Sequence, residues 1–168
     1  MNWWQMVCSL SLRRRAIRFI ELSRADRLLL LQSLVLIPAV SILLRILGLQ
    51  PTLSVLDRLS RRRLRAMRPQ SGLLDASAIC RVVGTAARHG LFSATCLRQA
   101  LALWFLLRRR GMAAELRIGV RKNADRLEAH AWVESNGLAL DPTGGTDERR
   151  EAATQFTMFD SSIQCTGG

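Results

Sequence analysis

Lysine is almost missing from this chain: of its 25 basic residues only Lys122 is not an arginine. A net charge of +12 ordinarily points to nucleic acid. Here, however, the arginines gather in triplets, Arg13-Arg14-Arg15, Arg61-Arg62-Arg63 and Arg108-Arg109-Arg110. The last triplet closes an apolar segment, where cations complement a helix dipole. Solvated helix ends are the first reading and a surface for an acidic partner the second; no nucleic-acid partner is expected. Cysteines are few and scattered. Cys8, Cys80, Cys96 and Cys165 form no Cys-x-x-Cys pair, and no His-x-x-x-His accompanies them, so neither a zinc site nor a disulfide framework is suggested. No metal or cofactor is expected, and a reducing cytoplasm is the expected compartment. The first residues, Met1-Asn2-Trp3-Trp4-Gln5-Met6, lack the charged start and unbroken apolar stretch of a secretory signal, so export is not expected. No internal repeat is visible.

What is present suits one globular domain: 168 residues, 49% of them apolar, enough to bury roughly two thirds of the unfolded surface. Residues 10 to 68 read as helical, with Ser23-Arg24-Ala25-Asp26 as a capped start before a run of leucines. From Leu28 to Leu44 the chain carries no charge, which is the lower limit for crossing a bilayer. Gln32, Ser33, Pro38 and Ser41 interrupt it, and Pro38 is expected to kink it or split it in two. A buried helix or helical hairpin is therefore expected, with peripheral membrane contact as the alternative. Pro69-Gln70-Ser71-Gly72 reads as a linker. The expected division is a helical portion at 1–70, a core at 71–145 and a peripheral tail at 146–168, either a helix or loose.

Leu73 to His89 reads as a helix stopped at Gly90, with His89 as a cap on its end. A second helix starts near Cys96, capped by Ser93 or Thr95. Leu97, Ala100, Leu101, Trp104 and Leu106 or Leu107 recur at helical spacing before the arginine triplet and Gly111. Beyond Gly111 the period becomes two: Ala114, Leu116, Ile118 and Val120 alternate with Glu115, Arg117, Gly119 and Arg121, giving a strand. Leu127 to Glu134 gives a second strand, and Asn136-Gly137 is a two-residue hairpin signal leading into Leu138 to Asp141. The expected fold is α+β, a helix packed on a small antiparallel sheet behind a helical N-terminal portion.

That hairpin fixes a register. With Asn136 and Gly137 as the turn, Ser135 faces Leu138 and Val133 faces Leu140. One face then carries Leu127, Ala129, Ala131, Val133, Leu138 and Leu140. The other carries Glu128, His130, Trp132, Glu134, Ala139 and Asp141, with the Cβ atoms of His130 and Asp141 roughly 7 Å apart on the diagonal. A carboxylate there can orient an imidazole. Cys96, in the first turn of a helix, sits where free N–H groups and the macrodipole favour a thiolate, and where its own backbone N–H can meet an oxyanion. Thiol, base and orienting acid are what nucleophilic acyl transfer requires. The plainer readings are a small buried cysteine, a structural histidine and a turn aspartate before Pro142. Glu115, Glu128 and Glu134 are most simply the solvent face of strands. Trp132 either walls a cleft or packs on the helix. Trp132, Glu128 and Gln99 are the candidates for substrate contact.

With these residues in hand, Thr95-Cys96-Leu97-Arg98-Gln99-Ala100-Leu101-Ala102-Leu103-Trp104, Leu106 to Met112, Glu115-Leu116-Arg117-Ile118-Gly119-Val120 and Ala129-His130-Ala131-Trp132-Val133 resemble the leader peptidases of lasso-peptide biosynthesis. Ser23-Arg24-Ala25-Asp26-Arg27-Leu28 resembles their helical N-terminal portion. The resemblance implies a core of papain or transglutaminase type, with Cys96 as nucleophile, His130 as base and Asp141 as orienting acid. It also implies cleavage of a leader from a ribosomally made precursor peptide, with the freed amine passing to an ATP-dependent, asparagine-synthetase-like cyclase. In that family a small recognition domain, fused or separate, holds the leader. No strands are read in residues 1 to 75, so the expectation is a split form served by a separate leader-binding protein that docks on the exposed arginines or the apolar N-terminal helices. The rivals are an amine acyltransferase using the same three groups and a non-catalytic, membrane-associated adaptor.

Overall fold

In the computed structural model the residues described are 24–64, 73–90, 95–123, 126–143 and 157–158. Four helices precede a sheet among them: α1 (Arg24–Leu47), α2 (Leu49–Leu64), α3 (Leu73–His89) and α4 (Cys96–Arg109). Four antiparallel strands follow, β1 (Glu115–Asn123), β2 (Arg126–Ser135), β3 (Leu138–Leu140) and β4 (Thr157–Met158), in the spatial order β3-β2-β1-β4. The architecture is α+β with a helical N-terminal part, as the change of period from 3.6 to two implies.

The centre is α4. Every residue from Gln99 to Leu107 is buried, and Leu101, Leu103 and Leu107 are completely so. A helix that is apolar on all sides has to be covered on all sides. Side chains of α1 (Leu29, Ile37, Val40), α2 (Leu53, Leu56), α3 (Ala76, Ile79, Val83, Ala86) and the sheet (Ala131, Val133, Leu140) complete one core with it. The helix stops at Gly111, whose φ of 78° places it in the left-handed region while Met112 N–H bonds back to the Leu107 carbonyl. Trp104 fastens the exit by donating its indole N–H to the Ala114 carbonyl at 3.1 Å.

Pro38 does not split the apolar run. α1 is continuous from Arg24 to Leu47 and turns into α2 only at Gly48, with a φ of 79°. The polar interruptions are absorbed locally: Ser33 Oγ donates to the Leu29 carbonyl and Ser41 Oγ to that of Ile37, so neither hydroxyl is left unpaired in an apolar setting. Nor is the helix buried throughout. Leu28, Leu31, Val35, Ile42 and Ile46 lie open in a stripe along the side away from α4. In length and hydropathy α1 meets the requirement for crossing a membrane, but Leu29, Ser33, Ile37 and Val40 are buried against the protein.

The arginines in the last turn of α4 are more than a solvated end. Arg108 reaches the Asp57 carboxylate of α2 at 2.7 Å and lies over the Trp104 ring, and Arg109 lies over Phe105. Asp57 also takes Arg61 at 2.7 Å, and its side chain is only 7% exposed. Two helices are thus clamped by one shared carboxylate. Arg13 to Arg15, the linker at Pro69 to Gly72 and Ser93 lie outside the described residues. The tail differs from the expected helix or loose segment: Thr157 and Met158 pair with Val120 and Gly119 as an edge strand.

Asp57→Ala should lower the unfolding free energy by about 1.5–3 kcal/mol, because it strands two arginines and removes a charge-assisted clamp. Urea unfolding of the variant beside the parent chain measures it.

Candidate active site

The hairpin has the register that Asn136-Gly137 dictates. Ser135 pairs with Leu138 and Val133 with Leu140, and both turn residues have positive φ, 50° and 76°. β1 extends the alternation, with Leu116 opposite Val133 and Ile118 opposite Ala131 on the core side, and Gly119 opposite His130 on the other. The two faces differ from a simple apolar and polar division. Leu127 is 78% exposed and Ala129 is also open, because the core covers only the Ala131 to Val133 stretch of β2; Trp132, on the charged side, is 1% exposed.

His130 and Asp141 meet on that side. Nε2 of the imidazole and Oδ2 of the carboxylate are 2.8 Å apart. The other carboxylate oxygen accepts the Thr143 backbone N–H at 2.9 Å and the Thr143 hydroxyl at 2.6 Å. Asp141 is therefore both the turn residue suggested by Asp-Pro and the partner of the histidine. Thr143 escaped the sequence reading, although Asp-Pro-Thr carries the signature of an aspartate that accepts from two residues ahead. The Trp132 ring stacks on the imidazole, centroids 6.1 Å apart and planes 17° from parallel. An aromatic face so placed favours the charged ring.

Cys96 completes the run from the N-terminus of α4. Thr95 holds the cap position with extended backbone, φ −68° and ψ 161°, and its side chain makes no capping hydrogen bond. The first-turn N–H groups are thus free of the usual side-chain acceptor. The Cys96 thiol is held below its ordinary value by its hydrogen bond to His130, against the opposing effect of burial, and backbone hydrogen bonds from Ala131 and Leu97 reinforce the shift. His130 is raised to about 9, first by the Asp141 hydrogen bond and next by the one to Cys96. Burial by itself would raise the Asp141 carboxyl; hydrogen bonds from His130 and Thr143 outweigh it and hold the group below its ordinary range. All three shifts favour thiolate, imidazolium and carboxylate together. Nε2 is committed to Asp141, which leaves Nδ1 as the ring nitrogen available to the sulfur.

The remaining candidates fall elsewhere. Glu128 is tied to Arg121 at 2.8 Å, Glu134 to Arg117 at 2.9 Å, and Glu115 to the same arginine at 2.7 Å, forming a charge ladder across β1 and β2. Gln99 is buried within α4, 8% exposed. His89 is exposed in the last turn of α3. Cys80 is a core residue of α3. Among the described residues no cluster of His, Cys, Asp or Glu could hold a metal ion.

A contact from α3 supports the acid. A Cβ on Gly84 would collide with the Pro142 carbonyl oxygen, so α3 lies directly against the residue that follows Asp141. Only glycine permits that approach.

A family model described as the transglutaminase-like superfamily matches residues 35–157, a span that contains Cys96, His130 and Asp141. The chain belongs to this superfamily, whose members are generally cysteine-based enzymes. No curated protein and no solved structure matches it.

Three outcomes are expected. The pH profile of Cys96 alkylation, followed by mass spectrometry, should show an acid limb below the ordinary thiol value of 9.0, and His130→Ala should move that limb upward. Any turnover that needs the imidazolium proton should fall as pH rises through about 9, where His130 loses it. Gly84→Ala should slow alkylation at neutral pH by roughly 10- to 100-fold through displacement of Asp141, while thermal unfolding stays cooperative.

Proposed function

We propose that this chain is a cysteine peptidase that removes the leader from a ribosomally synthesised lasso-peptide precursor in the cytoplasm. The observation that carries the proposal is the hydrogen-bonded run from the Cys96 thiol through His130 to Asp141 at a helix N-terminus. The resemblance of Thr95 to Trp104, Glu115 to Val120 and Ala129 to Val133 to leader peptidases supports the choice of substrate.

In this reading Cys96, His130 and Asp141 are the catalytic triad. The thiolate attacks the scissile carbonyl carbon, forming the S–C bond, and the oxyanion gathers at the Cys96 backbone N–H. Collapse breaks the C–N bond, and the imidazolium gives its proton to the departing amine. Water then attacks the thioester, its proton passes to His130, and the acid product leaves with the thiolate restored. Asp141 stays ionised throughout, fixing the ring so that Nδ1 meets the sulfur.

A separate leader-binding protein presents the precursor, and a macrolactam cyclase consumes the freed amine. The outward stripe of α1, Leu28, Leu31, Val35, Ile42 and Ile46, supports contact with a partner protein or, peripherally, with a membrane. The same triad would equally serve transfer of the acyl group to an amine, and products formed with and without added amine separate the two reactions.

Mixed with precursor and leader-binding protein, the parent chain should release the leader. His130→Ala should be slower by roughly 10²- to 10⁴-fold, and Cys96→Ala should be inactive. Undiminished cleavage by Cys96→Ala would overturn the mechanism.

A further inference from the structure

The third strand stops early. β3 pairs with β2 only from Leu138 to Leu140, opposite Ser135 to Val133, so among the described residues β2 has no neighbour on that side from Trp132 back to Arg126. Continued in the same register, Asp141 would face Trp132 and Pro142 would face Ala131. Proline has no N–H to give a ladder, and the Asp141 side chain is turned to His130. Resting on the reading of Cys96 as the nucleophile of a peptidase, we infer that the acyl side of the substrate peptide, the part N-terminal to the scissile bond, binds as an extended strand on this edge, hydrogen-bonded to the backbone of Ala129 and Leu127.

Which backbone groups face the edge follows from the two turns. A two-residue hairpin closes on a hydrogen-bonded pair, and such pairs alternate along an antiparallel ladder. Ser135 with Leu138 is the closing pair toward β3, so Val133, Ala131, Ala129 and Leu127 direct their N–H and C=O groups to that side. Asn123 with Arg126 closes the turn toward β1, which sends the even-numbered residues the other way and gives the same parity. The sulfur agrees with the assignment, since the Ala131 backbone hydrogen-bonds to Cys96. The thiol thus sits on the edge itself, where the ladder to β3 ends, and the backbone groups of Ala129 and Leu127 come next along the strand.

An open edge invites another strand, and proteins usually blunt it with proline, lysine or a bulge. Leu127-Glu128-Ala129-His130-Ala131 carries neither proline nor lysine, and its register with β1 is unbroken. A peptide bound by strand addition takes its affinity from such backbone groups. The side chains suit that occupant: Leu127 is 78% exposed and Ala129 is open, so an added strand gains an apolar neighbour at the first and meets no bulk at the second. The acyl side is the part that stays joined to the sulfur once the amine has left. A hold on the strand that also holds the sulfur keeps the thioester in place until water attacks.

The test uses the full chain and acetylated tetra-alanine aldehyde, whose carbonyl carbon adds reversibly to the Cys96 sulfur while the thiol proton goes to its oxygen. Affinity is read from protection of Cys96 against iodoacetamide. Single N-methylation of each peptide amide in turn should weaken the parent complex by about 5- to 10-fold at alternate positions and by less than about 2-fold at those between, the period of a strand that bonds on one side. Ala129→Pro, which removes an N–H that β1 does not use, should weaken the tetrapeptide aldehyde by about 5- to 10-fold relative to acetaldehyde measured on the same variant. Because proline can disturb folding, amide exchange is also followed by NMR on the parent chain, where the Ala129 and Leu127 amides should exchange more slowly once the peptide is added. Uniform losses along the methylated series, or none, would overturn the strand, as would unslowed exchange of both amides or parent-like affinity in a folded Ala129→Pro. A Cys96 no more reactive than a free thiol would instead overturn the peptidase reading. The edge is then judged by amide exchange with the unreactive tetra-alanine methylamide, where unslowed Ala129 and Leu127 amides refute it.

Discussion

A helix buried on every side has no freedom to rotate, and this constraint on α4 is what the reactive end of the protein depends on. Leu101, Leu103 and Leu107 are fixed by three other helices and by β2, so the direction in which Cys96 projects is decided by apolar packing several turns away. The polar chemistry is set against β2 by the same packing that excludes water from the core. Truncating any of these leucines to alanine removes about 2–5 kcal/mol of packing, and with it the rigidity that holds sulfur against imidazole. The Asp57 and Arg108 clamp works at the far end of the same helix, and the two ends cannot be treated as independent.

Around the thiol the electrostatic contributions point one way. Helix N-terminus, imidazolium and backbone N–H groups all favour negative sulfur, and the carboxylate and the Trp132 face both favour a charged ring. None of them needs a distant charge, so the arrangement is insulated from the large arginine excess of the surface. At physiological ionic strength that excess is felt over about 8 Å.

Much of this was legible in the chain itself. Period two after Gly111 and the Asn136-Gly137 turn gave the register, and the register alone brought His130 and Asp141 to one face. The stop at Gly111 was equally plain, since a left-handed residue after three arginines has few other uses. What stayed hidden depends on contacts between elements distant in sequence. Thr143 carries no hydrophobic period to mark it, and Gly84 looks like any small residue in a helix until Pro142 is laid against it. Pro38 does not split α1 for a local reason: a missing N–H weakens a helix, but burial of Ile37 and Val40 on either side holds it together. The β4 pairing could not be read from two residues in a polar tail, and the partly charged face of β2 concealed how deeply Trp132 is buried.

The continuous α1 also has a consequence for how the chain is made. Synthesis runs from the N-terminus, so α1 emerges while α3 and α4, which will cover Leu29, Ile37 and Val40, do not yet exist. For that interval its inner face is as bare as its outer stripe, and an isolated apolar helix in water has nothing to pack on but another copy or a chaperone. Once α4 docks, the inner face closes and only the outer one remains. The inner face of α1 is therefore completed only by elements made after it, and folding of this part has to wait for α4.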